Sequence, residues 1–209
     1  MEALSQFIVA GGFMMYPLLL LSLIATAIII ERAIVFTYIG TIPKNLLTST
    51  IALCKKSQFD EALGACRKKR GPVAAALATV LEHRKRAVPT IERYVQEIGE
   101  EYFLRLERYL SVLDTTTTIS PLLGLLGTIL GMIRAFDAIS NAQQTGGNTD
   151  AVLHGVAEAL YATATGISIA VVCFIAYNYF ATRVRDVNSE TEMCATKLLN
   201  VLSELGEVQ

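Results

Sequence analysis

The sequence predicts an all-α integral membrane protein with three transmembrane helices, two of them extended into the cytoplasm, assembled as a ring-like oligomer. Three observations carry this reading. Uncharged apolar runs recur three times along the 209 residues. Lysine and arginine cluster on one side of those runs. The second and third runs each carry small and polar residues at helical spacing, which asks for close neighbours and a wet or partnered face.

The first element, residues 1–38, is an N-terminal periplasmic end and a first span. Ala3 to Ile30 contain no Asp, Glu, Lys or Arg, and about 20 apolar residues suffice to cross a hydrocarbon core. The apolar part is too long for a signal-peptide core and has no basic segment ahead of it, so the span is expected to be retained.

Residues 39–89 form a cytoplasmic loop domain of short helices. Asn45 to Lys56 and Gln58 to Lys69 alternate apolar and charged residues at helical spacing, Gly71-Pro72 breaks the chain, and Ala74 to Arg86 resumes the pattern. Pro89 suits a first helical turn. After it Ile91, Val95, Ile98, Tyr102, Leu106, Tyr109 and Leu113 recur every three or four residues with no breaker. The periodicity predicts one helix over 90–138 that includes the second span, about 70 Å long at the helical rise.

Residues 139–150 are read as a periplasmic loop, and 151–209 as the third span continued by a cytoplasmic C-terminal helix. The second span is the uncharged run Thr115 to Ile133, bounded by Asp114 and Arg134. The third is Ala159 to Thr182, bounded by Glu158 and Arg183.

Orientation follows from the cations, because basic loops resist translocation. Arg32, Lys44, Lys55, Lys56, Arg67 to Arg70, Arg84 to Arg86, Arg93, Arg105 and Arg108 lie between spans one and two, and Arg183, Arg185 and Lys197 follow span three. The stretch before Ile8 and the loop from Ala135 to Asp150 hold none. The N-terminus is therefore expected outside and the C-terminus in the cytoplasm, with Arg134 at the outer end of span two. The formal net charge of −1 is partitioned by the membrane, and nucleic-acid binding has no support. Cys54, Cys66, Cys173 and Cys194 show no C-x-x-C spacing and only His83 and His154 join them. Inert thiols are expected, with no metal site.

Glu158 is the one acid between Ala151 and Thr182. A carboxylate at membrane depth costs at least about 2.5 kcal/mol, so chains rarely keep one without a use. Its place two turns inward from Asp150 also allows a structural acid reaching for the surface. Thr165 and Ser168 share its polar side, while Gly155, Ala159, Ala162, Gly166 and Ala170 form a small stripe on another, expected to pack between subunits. In span two, Thr117, Pro121, Gly124, Thr128 and Gly131 are spaced 4, 3, 4, 3. Helix packing and lumen lining both fit that stripe.

Two stretches carry a family resemblance. Ser120-Pro121-Leu122-Leu123-Gly124-Leu125-Leu126-Gly127-Thr128 through Ile133, followed by Phe136, resembles the second-span signature of the MotA/TolQ/ExbB proton-channel family. Gly155-Val156-Ala157-Glu158-Ala159-Leu160-Tyr161-Ala162-Thr163-Ala164-Thr165-Gly166 resembles its third-span signature, and Glu31-Arg32 after span one also fits. The match is to the ExbB and TolQ branch, most like ExbB.

The resemblance implies a bacterial inner-membrane homopentamer around a dimer of single-span ExbD/TolR-type partners, acting with a TonB- or TolA-type protein. Protons are the coupling ion and no cofactor is implied. It places Thr128, Glu158 and Thr163 near the proton route, with Thr165 beside them and Thr117, Pro121, Gly124 and Gly131 along the partner-facing lumen. Glu158 and Thr163 are five apart, about 140° around a straight helix, so one route serves both only along a wide arc or with Thr163 turned to a neighbouring subunit. Ile129-Leu130 departs from the aromatic residue often found after the Thr. The implied function is a proton-channel subunit energising TonB-dependent outer-membrane transport, or its TolQ-type counterpart in envelope constriction. An intramembrane enzyme lacks a nucleophile–base pair or a second acid at membrane depth. A non-conducting assembly subunit is the remaining rival.

Overall fold

A computed structural model describes residues 11–38, 45–145 and 149–208. They form seven helices: α1 (Met15–Tyr38), α2 (Leu46–Lys55), α3 (Phe59–Arg67), α4 (Pro72–Glu82), α5 (Val88–Glu107), α6 (Leu110–Thr145) and α7 (Thr149–Glu204). No strand occurs among the described residues. Three helical stretches are long and apolar enough to cross a membrane, within Met15–Tyr38, Val88–Ser140 and Val152–Glu204. The predicted all-α architecture with three such helices is the one observed. The outermost residues before Ile8 lie outside the described part.

The chain divides into two compact units, one of residues 1–29 with 109–178 and one of residues 30–108 with 179–209. In the second unit, α2 packs on α3, α3 on α4 and α4 on α5. Helix α4 is the centre of its core because Ala and Val leave little side chain to order and much surface to bury. Val73, Ala76, Leu77, Val80 and Leu81 are almost fully enclosed, joined by Ile91 of α5 and by Cys194, Leu198 and Leu202 of α7. Gly71 precedes α4 at φ 116°, a backbone that glycine adopts without steric cost, and Pro72 opens the helix. The rings of Phe36 and Phe180 stack at 5.4 Å.

The expected single helix over 90–138 is corrected to two. Helix α5 ends at Glu107, Arg108 is extended (φ −50°, ψ 134°) and Tyr109 is left-handed (φ 64°) before α6 begins. The physical reason is a side chain remote in sequence. Arg32, only 2% exposed, donates from Nη1 to the carbonyls of Arg105 at 2.9 Å and Leu106 at 3.0 Å. In an unbroken helix those carbonyls would accept from the amides four residues on. The guanidinium takes their place as a C-terminal cap, and Glu31 holds its other nitrogens at 2.5 and 2.6 Å.

The outer loop expected over 139–150 is also shorter. Helix α6 continues to Thr145 and α7 starts at Thr149. Ala135 to Thr145 holds no glycine or proline, so nothing stops the helix before Gly146-Gly147.

The first unit combines the start of α1 with α6 and the first part of α7. Its packing relies on small residues. Thr116, Ser120, Gly124, Gly127, Gly131 and Ala135 form the buried stripe of α6, recurring every three or four residues. They meet Gly155, Ala159, Ala162 and Gly166 of an antiparallel α7 so closely that no side chain could be added. A Cβ at Gly166 would lie 2.5 Å from the Ser120 carbonyl oxygen, and one at Gly131 would lie 2.7 Å from that of Gly155. Between spans in lipid this close approach supplies the dispersion that a hydrophobic effect cannot.

Candidate functional site

Glu158 sits on the α6-facing side of α7 and is 9% exposed. Arg134 of α6 donates from Nη1 to its Oε1. The backbone at Gly12, φ +67°, closes over the same carboxylate, so that a Cβ there would collide with Oε1. The acid thus lies among three stretches of chain, with a cation on one of them.

Thr163, the second residue expected on the route, also faces α6. Its hydroxyl donates to the Gly124 carbonyl at 3.0 Å. Glu158 and Thr163 therefore share one neighbour despite their angular separation, because glycine and alanine let α6 lie close against a broad arc of α7. The alternative in which Thr163 turns to another subunit is corrected by that hydrogen bond.

Thr128 and Thr165 are not brought into this contact. Thr128 donates to the Leu125 carbonyl at 2.7 Å and Thr165 to that of Tyr161 at 2.8 Å, both within their own helices. The polar entry of span two behaves likewise. Thr115, Thr116 and Thr117 donate to the carbonyls of Ser111, Val112 and Leu113 at 2.7, 2.7 and 3.0 Å, and Ser120 donates to that of Thr116. A hydroxyl whose proton is committed to its own helix presents lone pairs outward, so these side chains offer acceptors. Thr117 and Pro121 are half-buried at the edge of the α6 stripe.

The assignment of Gly155, Ala159, Ala162 and Gly166 to subunit contacts is corrected. Ala159 is 3% and Ala162 0% exposed within the single chain, and all four are consumed by α6. Gly124 and Gly131, expected to line a lumen, lie in the same contact. Small residues pack helices wherever they occur, and spacing alone does not say whether the neighbour belongs to the same chain.

Sequence reasoning missed the two groups that hold Glu158. For Arg134 a signal existed: it ends the uncharged run of span two at the end where Glu158 opens that of span three, and antiparallel spans bring those ends level. For Gly12, nothing in the sequence marked its approach. Among the described residues no group of three or more His, Cys, Asp or Glu could hold a metal ion.

Comparison with known proteins identifies the family. Residues 68–193 match the model of the MotA/TolQ/ExbB proton channel family. A putative biopolymer transport protein ExbB-like 3 of Synechocystis sp. is 34% identical over 172 residues, covering 82% of this chain and 81% of that protein. The biopolymer transport protein ExbB of Pseudomonas putida is 30% identical across 77% of this chain, which spans only 51% of that relative's length. A Tol-Pal system protein TolQ of Haemophilus influenzae is 39% identical over 85 residues, 41% of this chain and 36% of the relative. With the family model matched across more than half of the chain and a relative aligned over most of both sequences, this membrane protein belongs to the MotA/TolQ/ExbB proton channel family.

Proposed function

We propose that the protein is the proton-channel subunit of an inner-membrane motor that uses the proton motive force to energise TonB-dependent outer-membrane transport. The observation that carries the ExbB-type reading over the TolQ-type one is the extent of similarity. Four ExbB-named relatives align over 77–82% of the chain and two over 45%, whereas the TolQ relatives align over 38–41%. The chain works as a homopentamer around a dimer of single-span ExbD/TolR-type partners, with its N-terminus periplasmic and its C-terminus cytoplasmic as the basic residues direct.

The chemistry asked of the chain is modest. One charge crossing 100 mV releases about 2.3 kcal/mol, so a few protons per step can drive a conformational change without any covalent intermediate. Protons are the coupling ion and no cofactor is required. Glu158 and Thr163, together on the α6 side of α7, and the outward lone pairs of Thr128 and Thr165 support a polar route along these helices.

The test is Glu158→Gln in the full chain, assembled with its single-span partner. Loss of the proton-driven process with assembly intact is expected, and full activity would remove Glu158 from the route. Starvation for chelated iron on deletion of the gene supports the ExbB-type role; a weakened outer membrane with normal iron uptake would establish the TolQ-type role instead.

A further inference from the structure

Arg134 has no place in the route proposed above, yet its position is unusual. It is the cation that ends the uncharged run of span two, and its side chain remains 53% exposed while the carboxylate it binds is enclosed. Glu158 is held from two further directions, by α7 itself and by the backbone at Gly12. Among the described residues, the other charged or titratable groups near this end are His154, one turn earlier on α7, Tyr161, one turn later on α7, and Asp137, one turn later on α6, all exposed. Residues 11–14 contribute none. Arg134 is therefore the cation that reaches the acid.

We propose that Arg134 is a positioning residue for Glu158: its guanidinium anchors the carboxylate between Gly12, α6 and α7. The anchor sets where that carboxylate stands along the proposed route. The inference rests on the proton-channel reading for what the anchor serves; the anchor itself stands on the geometry. A charge-assisted hydrogen bond into an enclosed carboxylate is stronger than a neutral one and fixes direction as well as distance. The Gly12 backbone leaves that carboxylate little room to swing away once bound.

Dicyclohexylcarbodiimide provides a direct test. It adds to a protonated carboxyl group, its nitrogen taking the acid proton as the carboxyl oxygen bonds to its carbon, with no group leaving. The full chain, in its native membrane vesicles at neutral pH, is treated with this reagent, and modification of the Glu158 peptide is read by mass spectrometry. Arg134→Gln is expected to be modified about ten-fold faster than wild type, with Arg134→Lys restoring protection because it keeps a cation in reach. A merely structural role for Arg134 would not give that order between two folded variants. Equal modification of wild type and Arg134→Gln overturns the anchor, as does Arg134→Lys reacting like Arg134→Gln. If Arg134→Gln fails to insert, wild type and Arg134→Lys decide: protection of Glu158 in both upholds the anchor, and rapid modification of wild type overturns it. Absence of proton-driven activity in the wild-type complex would instead defeat the channel reading and leave this labelling order unchanged.

Discussion

Gly166 and Gly64 show how differently one residue type behaves in the two units. A Cβ at Gly166 would press on the Ser120 carbonyl and the Gly124 backbone, whereas one at Gly64 in α3 would meet nothing within 4 Å. Gly166→Val is expected to destabilise the protein by about 1–3 kcal/mol through overpacking. Gly64→Ala should stabilise it by about 0.5–1 kcal/mol by removing unfolded-state freedom and a helix-weakening residue. Unfolding midpoints of both variants in detergent check this contrast; an unchanged midpoint for Gly166→Val would refute the close α6–α7 contact. At this scale the sequence was legible in part. Glu158 stood out because an acid in an apolar run is rare, but it faces α6 together with the small-residue stripe rather than on a side apart from it. Its Arg134 partner was hidden by separation in sequence, since donor and acceptor stand 24 positions apart. The glycine and alanine stripes were visible as stripes, but their neighbour is a long-range fact that helical period does not encode.

Among the elements, the turn at Arg108-Tyr109 is the clearest case of tertiary structure overriding local pattern. Nothing between Pro89 and Ser120 except Gly99 weakens a helix, and the apolar spacing continues across the break. The break becomes intelligible only with Arg32, which stands 73 residues from the first carbonyl it caps. Left-handed backbone at a non-glycine residue costs about 1–2 kcal/mol, and the cap together with the burial of Leu106 and Leu110 offsets it. Arg32→Gln is expected to cost about 1–3 kcal/mol by leaving enclosed carbonyls without their charged donor. Amide hydrogen exchange at residues 105–112 should accelerate more in this variant than exchange in α4, and uniform acceleration would refute a local cap. By contrast, α2, α3 and α4 were legible because Gly71-Pro72 and the charged turns punctuate the chain there. The continuation of α6 to Thr145 was missed because a polar, uncharged stretch after a span reads as a loop although its residues tolerate a helix.

On the scale of the whole molecule, three apolar runs made the membrane-spanning helices readable, because lipid imposes a length rule that soluble packing does not. The core of the unit formed by residues 30–108 and 179–209 was less visible, since it draws on short helices and on the distant end of α7. That core titrates in one direction. Burial pushes the Cys54 and Cys66 thiols above their ordinary value of 9.0. Above that pH the unfolded chain sheds these protons while the folded one retains them, so the unfolded state binds fewer protons and stability falls as pH rises. Chemical denaturation should show a plateau below about pH 8.5 and a decline beyond it; a rise in stability there would contradict the enclosure of these thiols. All four cysteines are buried, none more than 5% exposed. The natural chain is consequently a quiet background for a maleimide reporter: a single cysteine introduced at an exposed position outside the spans, such as Leu104 or Leu205, would carry the fluorophore or spin label alone, with every native sulfur left in place.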